Sequence, residues 1–319
     1  MSLDEQAIIE RFFRHLGAVR TDVVLGIGDD AALLRAKPGC ELVQTTDALV
    51  EHVHFLPGGS PRSLGHRALA VNLSDIAAMG ATPAWALLAL TLPEIDETWL
   101  GEFAAGFGTL ARAHEVALVG GNLSQGPLTM TVLLTGQVAA GTALRRSGAR
   151  PGDGIWVSGT LGDAAFGRRE RDSGGAGAHA DWLRARYEYP TPRIALGEAV
   201  RGIASACIDL SDGLLADLPR LAGSSECGAL LELEQLPISA ALAARAGESA
   251  WQLALAGGED YELCLTARPE RAAELEAVAA CLAVPLRRCG ELRAAPGLNL
   301  QRAGAVIQFS QLPFDHFAG

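Results

Sequence analysis

Short unbroken apolar runs alternate along this chain with longer segments whose apolar positions recur every three to four residues. WALLALTL (85–92) and LTMTVLLTGQV (128–138) read as buried strands, ELVQTTD (41–47) and VALVGG (116–121) as two more, and DETWLGEFAAGFGTLARAHEV (96–116) as an amphipathic helix. Such alternation confines the fold to sheets covered by helices. At SGARPGDG (147–154) turn residues cluster and the apolar pattern stops, then starts again. GIWVSG, ACIDL and YELCLTA are strands of the second half; TLGDAAFGRRE, SDGLLADLPRLAG, RPERAAELEAVAACLA and a segment after Pro192 are its helices, with DSGGAGAHAD (172–181) a mobile loop. With 319 residues, 49% of them hydrophobic, the chain can fill two cores, so the expected domains are 1–146 and 147–319, each an α/β (α+β) unit. Near the start, Ser2 and Glu5 form a capping box for a helix over 3–16, while Ser60 and Pro61 open a helix that Gly80 closes.

Several function classes are excluded early. A formal charge of −11 argues against nucleic acid as a partner. No apolar run nears the roughly 18 residues of a membrane span, and MSLDEQAIIERFF is acidic where a signal peptide is basic, which predicts a cytoplasmic protein without membrane contact. The six cysteines are scattered without a CxxC pair and read as free thiols. Lys37 is the only lysine among 26 basic residues, so neither a Walker A loop nor a protein-kinase strand lysine can be built. Any phosphate handled here must be met by arginine, backbone N–H groups and metal ions.

The acidic residues carry the chemistry. In LGIGDDAALL, Asp29 and Asp30 stand together before apolar residues, where burial would be costly without a cation. Asp47 is placed at the end of a strand, where ligands commonly sit, and by itself reads as a helix cap or turn residue ahead of a ligand. Asp75 lies in RALAVNLSDIAAMGA, a helix apolar nearly all round, and a buried carboxylate there points to a metal or active site ahead of a salt bridge. Asp209 and Asp212 in CIDLSDGLL could hold one divalent ion, and GGEDYEL places Glu259 and Asp260 after a glycine pair that lets backbones come close.

The ordered set GDDAA, TTDALVEHVHF, VNLSDIAAMGA, GGN, DLSDGL and GGEDYEL, running from about residue 4 to the terminal PFDHF, resembles the thiamine-monophosphate kinase family of the aminoimidazole ribonucleotide synthetase superfamily. The resemblance implies a two-domain synthetase-like fold that dimerises through its N-terminal sheets. It also implies phosphorylation of thiamine monophosphate by ATP through direct transfer, with several Mg²⁺ ions and no catalytic side chain. Asp30, Thr45, Thr46, Asp47, Asp75, Asn122, Asp209 and Asp212 then resemble magnesium ligands. Gly121, Asn122, Arg146 and Ser211 resemble ATP contacts, and His54, Glu259, Asp260 and Phe314 or Phe317 the substrate end. By themselves, His54 reads as a satisfied surface histidine, Arg146 as a solvated basic linker, and the terminal Phe residues as tail anchors. One departure stands out: the chain has GGNLS where the family pattern is GGDTT, so Asn122 offers a carbonyl oxygen without charge. The homodimer is also expected because WALLALTL and LTMTVLLTGQV carry few charges to guard a sheet edge. Two alternatives are another ATP-dependent synthetase of the superfamily and a non-catalytic acidic protein that binds divalent cations. Acids in Gly-flanked loops of both halves, without an EF-hand loop, argue against the latter.

Overall fold

A computed structural model of the chain describes residues 4–309. It divides into two units, the first comprising residues to Ile76 with Ala81–Gly141, the second Ala77–Gly80 with the residues from Thr142.

The first unit opens with α1 (Glu5–Ile8), which is capped by Asp4 rather than Ser2, the latter lying outside the described residues; the Asp4 carboxylate accepts from Ala7 N at 2.8 Å. The expected single helix over 3–16 instead passes into a π-helical turn, Ile9–Phe13. The wider i→i+5 turn lets Ile8 and Phe13, five apart, both bury. There follow β1 (Val23–Leu25), β2 (Leu33–Leu34), β3 (Cys40–Val50), α2 (Pro61–Ala78), β4 (Thr82–Leu92), α3 (Glu97–Ala113), β5 (Ala117–Gln125) and β6 (Thr129–Ala139). β1 and β2 form a small antiparallel pair, and the main sheet has the order β3-β6-β4-β5, antiparallel except between β4 and β5. The runs WALLALTL and LTMTVLLTGQV are therefore its two inner strands. Their lack of charge reflects burial of Leu88, Leu90, Met130, Val132 and Leu134, not an uncovered edge. The edges are β3 and β5. α2 is buried on most faces, as its composition predicts, and it meets α3 backbone to backbone. A Cβ at Gly65 would lie 2.1 Å from the Phe103 carbonyl oxygen, and one at Gly106 would lie 1.9 Å from that of Arg62.

The second unit contains β7 (Gly154–Ser158), α4 (Asp163–Ser173), α5 (Ala178–Glu188), α6 (Ile194–Ala199), β8 (Ala206–Leu210), α7 (Leu214–Ser224), β9 (Gly228–Glu232), α8 (Ala240–Ala246), α9 (Ala250–Ala256), β10 (Glu262–Ala267), α10 (Ala272–Cys281), β11 (Leu286–Arg293), β12 (Leu298–Arg302) and β13 (Ala305–Ile307). Its seven-stranded sheet has the order β13-β12-β9-β11-β7-β10-β8, parallel only between β9 and β12. Ile155, Val157, Ile208, Leu210 and Leu231 from the sheet pack with Leu214, Leu218 and Leu221 of α7. DSGGAGAHAD is not a long loop, because α4 runs into it and α5 begins at Ala178. Ala180, Leu183 and Tyr187, at helical spacing, bury one face of α5 and set it as a helix.

Candidate active site

In the first unit the candidate residues gather along β3 and α2. β3 continues past Asp47 to Val50, so Asp47 lies within the strand rather than at its end. The Thr45 hydroxyl donates to Asp75 Oδ2, joining β3 to the half-buried carboxylate of α2. Thr46, its side chain on the other face by strand alternation, donates to the Val132 carbonyl at 3.0 Å. His54 follows β3 in a turn, and its Nδ1 accepts from Val50 N at 3.0 Å, which places the proton on Nε2 in the neutral ring.

Sheet register separates Asn122 from this group. Asp47, Val132, Leu88 and Gly121 share one row across the four strands, and Ala48, Thr131, Ala89 and Asn122 the next. Asp47 and Asn122 thus occupy opposite edges, about 14 Å apart at three strand spacings, and point to opposite faces. Within one copy they do not meet. Asp29 and Asp30 are exposed, as are Ala31, Leu33 and Leu34, so the expected apolar burial of the pair does not occur and water screens the two charges. Asp29 Oδ1 accepts from Asp30 N at 2.8 Å. Arg14, whose carboxylate partner is Glu10, donates from Nη1 to the Ile27 carbonyl at 3.3 Å.

In the second unit two loops are pressed together. The segment after β8, Asp209–Gly213, faces the segment before β10, Gly257–Tyr261. Glu259 N donates to the Ser211 carbonyl at 2.8 Å and Tyr261 N to that of Leu210 at 3.0 Å. Gly258 makes this possible, because a Cβ there would lie 2.5 Å from the Ser211 oxygen. Glu259 and Tyr261 have φ of 72° and 50°, left-handed values that non-glycine residues hold only when their surroundings impose them. Asp209, Ser211, Asp212 and Glu259 are thereby brought to one place. Arg146 is exposed, yet its backbone is fixed beside β8: Cys207 N donates to the Arg145 carbonyl at 2.8 Å and Ser225 Oγ to that of Arg146 at 2.9 Å.

Asp212 Oδ2 accepts from Arg220 Nη1 at 2.6 Å. One sequence expectation changes here, at Asp260. Asp260 is only 2% exposed, and its two oxygens accept from Gly162 N at 2.7 Å and Ala164 N at 3.1 Å, so it caps α4 from a distance instead of facing a substrate. Burial pushes its carboxyl up to about 8, against those two donors and the Arg186 charge. Phe314 and Phe317 lie outside the described residues.

Sequence reasoning missed Asp217, buried beneath Asp212 and bound to the same Arg220 nitrogen at 2.7 Å. Burial and the neighbouring Asp212 charge push it up to about 6. Its position five residues after Asp212, in an apolar helix, was the available signal.

Every candidate ligand is a carboxylate, hydroxyl or amide oxygen, the donor chemistry that suits Mg²⁺. Asp212 and Asp217 both pair with Arg220, two carboxylates to one guanidinium, and this excess of negative charge also fits a cation. Among the described residues no group of three or more His, Cys, Asp or Glu is gathered closely enough to hold a metal alone.

The chain matches the family models for the AIR synthase related protein N-terminal domain over residues 28–138 and C-terminal domain over 150–302. It is 45% identical to the thiamine-monophosphate kinase of Salmonella typhimurium, across 100% of this chain and 99% of that protein. The Escherichia coli K12 enzyme of the same name is 44% identical over the same shares. Among solved structures, thiamine-monophosphate kinase from Stenotrophomonas maltophilia superposes with a TM-score of 0.85 at 46% identity, covering 90% of this chain and 93% of that one. AaThiL complexed with AMPPCP and TMP gives 0.78 at 32% identity, with 91% and 92% covered. The hydrogenase maturation protein HypE shares the fold, with a TM-score of 0.80 at 23% identity, covering 98% of this chain and 95% of that one.

Proposed function

The chain belongs to the thiamine-monophosphate kinase family of AIR synthase related proteins, and from that premise we propose that it transfers the γ-phosphoryl group of ATP to thiamine monophosphate, giving thiamine diphosphate. The observation that carries this reading is the end-to-end likeness to named kinases, including a relative solved with an ATP analogue and TMP. The acceptor is a phosphate oxygen already ionised near neutral pH, so no side chain need act as nucleophile or strong base. Phosphoryl transfer of this kind rests on positioning and charge neutralisation.

In this reading Asp30, Thr45, Thr46, Asp47, Asp75, Asn122, Asp209 and Asp212 hold magnesium together with phosphate oxygens. When bound, Mg²⁺ neutralises the charge that builds on the transferring group. Gly121, Asn122, Arg146 and Ser211 meet ATP, with Arg146 in the role a lysine fills elsewhere. His54 offers Nε2–H as a donor to the substrate, and Glu259 offers a carboxylate to its positively charged thiazolium ring. Asp260 acts by fixing the backbone beside Glu259.

We further propose a cytoplasmic homodimer. Asp47 and Asn122 stand on opposite edges of one sheet, so a common ligand requires a second copy to supply the other edge. Sedimentation at micromolar concentration should show a dimer, and a stable monomer removes this element. An assay of thiamine diphosphate formation from thiamine monophosphate, ATP and Mg²⁺ tests the reaction. Absence of product with pure protein, while ATP is bound, refutes it.

A further inference from the structure

Directly behind the Glu259–Tyr261 segment lies a charged cluster that the proposed reaction does not use. Glu262, the first residue of β10, is fully buried. Its Oε2 accepts from Arg193 Nε at 2.6 Å and Ser158 Oγ at 2.6 Å, and its Oε1 from Arg193 Nη2 at 2.6 Å and Arg186 Nη2 at 2.8 Å. Ser158 Oγ in turn accepts from Leu263 N at 2.9 Å. Arg186 also reaches Asp163, whose oxygens take the hydroxyls of Thr160 and Ser239 at 2.5 Å each. One carboxylate therefore ties together the end of β7, α5, the segment before α6 and the start of β10.

Such a cluster is an inefficient way to stabilise a fold. Apolar residues of similar volume often serve as well, because removing several charges from water offsets their mutual attraction. Its distinctive property is fixed direction, since an arginine fork bound through two parallel hydrogen bonds holds a carboxylate in one plane. The neighbouring backbone needs such fixing: Glu259 and Tyr261 are held left-handed, a conformation unfavourable for residues other than glycine. On one side of Tyr261, Asp260 is anchored to the start of α4; on the other, Glu262 is anchored to the two arginines.

We infer that Glu262, clamped by Arg193, Arg186 and Ser158, is a positioning residue for thiamine monophosphate: it sets the Glu259–Tyr261 backbone so that the Glu259 carboxylate faces the substrate. The inference rests on the substrate assignment of Glu259 made above. It separates two roles within the second unit, with Asp209, Ser211 and Asp212 serving ATP and metal, and the Glu262 cluster serving the phosphoryl acceptor.

Arg193→Lys keeps the charge and loses the fork. The expected result is a rise of about tenfold or more in KM for thiamine monophosphate, with KM for ATP and kcat within about threefold of wild type. Ser158→Ala, which leaves both arginines on Glu262 and removes the serine's hydrogen bonds to Glu262 Oε2 and from Leu263 N, is the milder variant and should show the same split at about threefold. Glu262→Asp, which retains the charge on a shorter arm, should lose the geometry and raise KM for thiamine monophosphate as Arg193→Lys does. Calorimetric binding of thiamine monophosphate without ATP should weaken in parallel. A cluster that only supports the fold would lower the melting temperature and move both KM values together, or leave both unchanged; either outcome in Ser158→Ala overturns the inference. Wild-type protein that makes no thiamine diphosphate would instead refute the function, so the two failures are distinct.

Discussion

Gly258→Ala puts the joined loops to a direct test. The added methyl carbon would lie 2.5 Å from the Ser211 carbonyl oxygen and 3.3 Å from Asp212 Cα. A relaxed carbon–oxygen contact begins near 3.3 Å, so the loops must part by about 0.8 Å at a point where both neighbours are backbone and no rotamer can yield. Overpacking of this kind costs about 1–3 kcal/mol, which for a unit of this size lowers Tm by roughly 2–10 °C. The functional loss should be larger than the loss of stability. The strand of contact that opens carries the Glu259 N to Ser211 O bond, which couples the proposed acceptor and ATP residues. Displacements near 1 Å at reacting groups cost on the order of 100-fold, so kcat/KM should fall between about 10- and 100-fold. Gly223→Ala, on an exposed position of α7 with nothing within 4 Å, serves as control and should be neutral or stabilising by up to about 1 kcal/mol. Thermal melting and thiamine diphosphate formation are the two assays. If Gly258→Ala melts within about 1 °C of wild type and keeps its activity within about twofold, the loops are not in backbone contact and the site geometry is wrong.

Asp75→Asn should leave the fold intact and lower turnover by orders of magnitude, because the amide keeps an acceptor for Thr45 but gives up the charge proposed to hold Mg²⁺; near-normal activity at limiting Mg²⁺ would make Asp75 structural. Asn122→Asp should lower the Mg²⁺ concentration for half-maximal activity and Asn122→Leu should raise it, measured at saturating ATP. Unchanged Mg²⁺ dependence in both variants would place Asn122 outside the metal site. Asp260 has its folded pKa raised from 3.8 to about 8, so the folded state binds this proton more tightly than the unfolded one. Its contribution to stability is complete below about pH 4 and is lost as pH rises through about 8. Between about pH 6 and 8 that loss is about 2–3 kcal/mol, visible in urea denaturation and diminished in Asp260→Asn; an equal slope in the variant excludes Asp260 as its source.

What was legible in the sequence was local. The glycine pair beside Glu259 announced a close backbone approach, which holds in the structure, whereas the nearly all-apolar surroundings of Asp75 announced a burial that is only half realised. What escaped depends on pairing between distant segments. Nothing near Asp47 states that its strand lies at one edge of the sheet and Asn122 at the other, because strand order is fixed by connections elsewhere. Asp260 reads as a substrate contact in the sequence because its partners, Gly162 and Ala164, lie far away along the chain. The helix α5 was hidden by glycines at its start, although Ala180, Leu183 and Tyr187 carry its period. WALLALTL was recognised as a strand, but composition does not distinguish an inner strand from an exposed one awaiting a partner.

The remote cap on α4 bears on how the protein is made. Gly162 supplies no side chain to its own helix, so the first N–H groups of α4 wait for Asp260, 98 residues later. On the ribosome, α4 and α5 emerge well before this anchor exists, and the contact that completes them has a long loop to close. The start of α4 is therefore expected to stay without this cap until the Glu259 segment has been made. A chain released before residue 260 should leave α4 frayed, and a protease that trims such products would find its cleavage sites there.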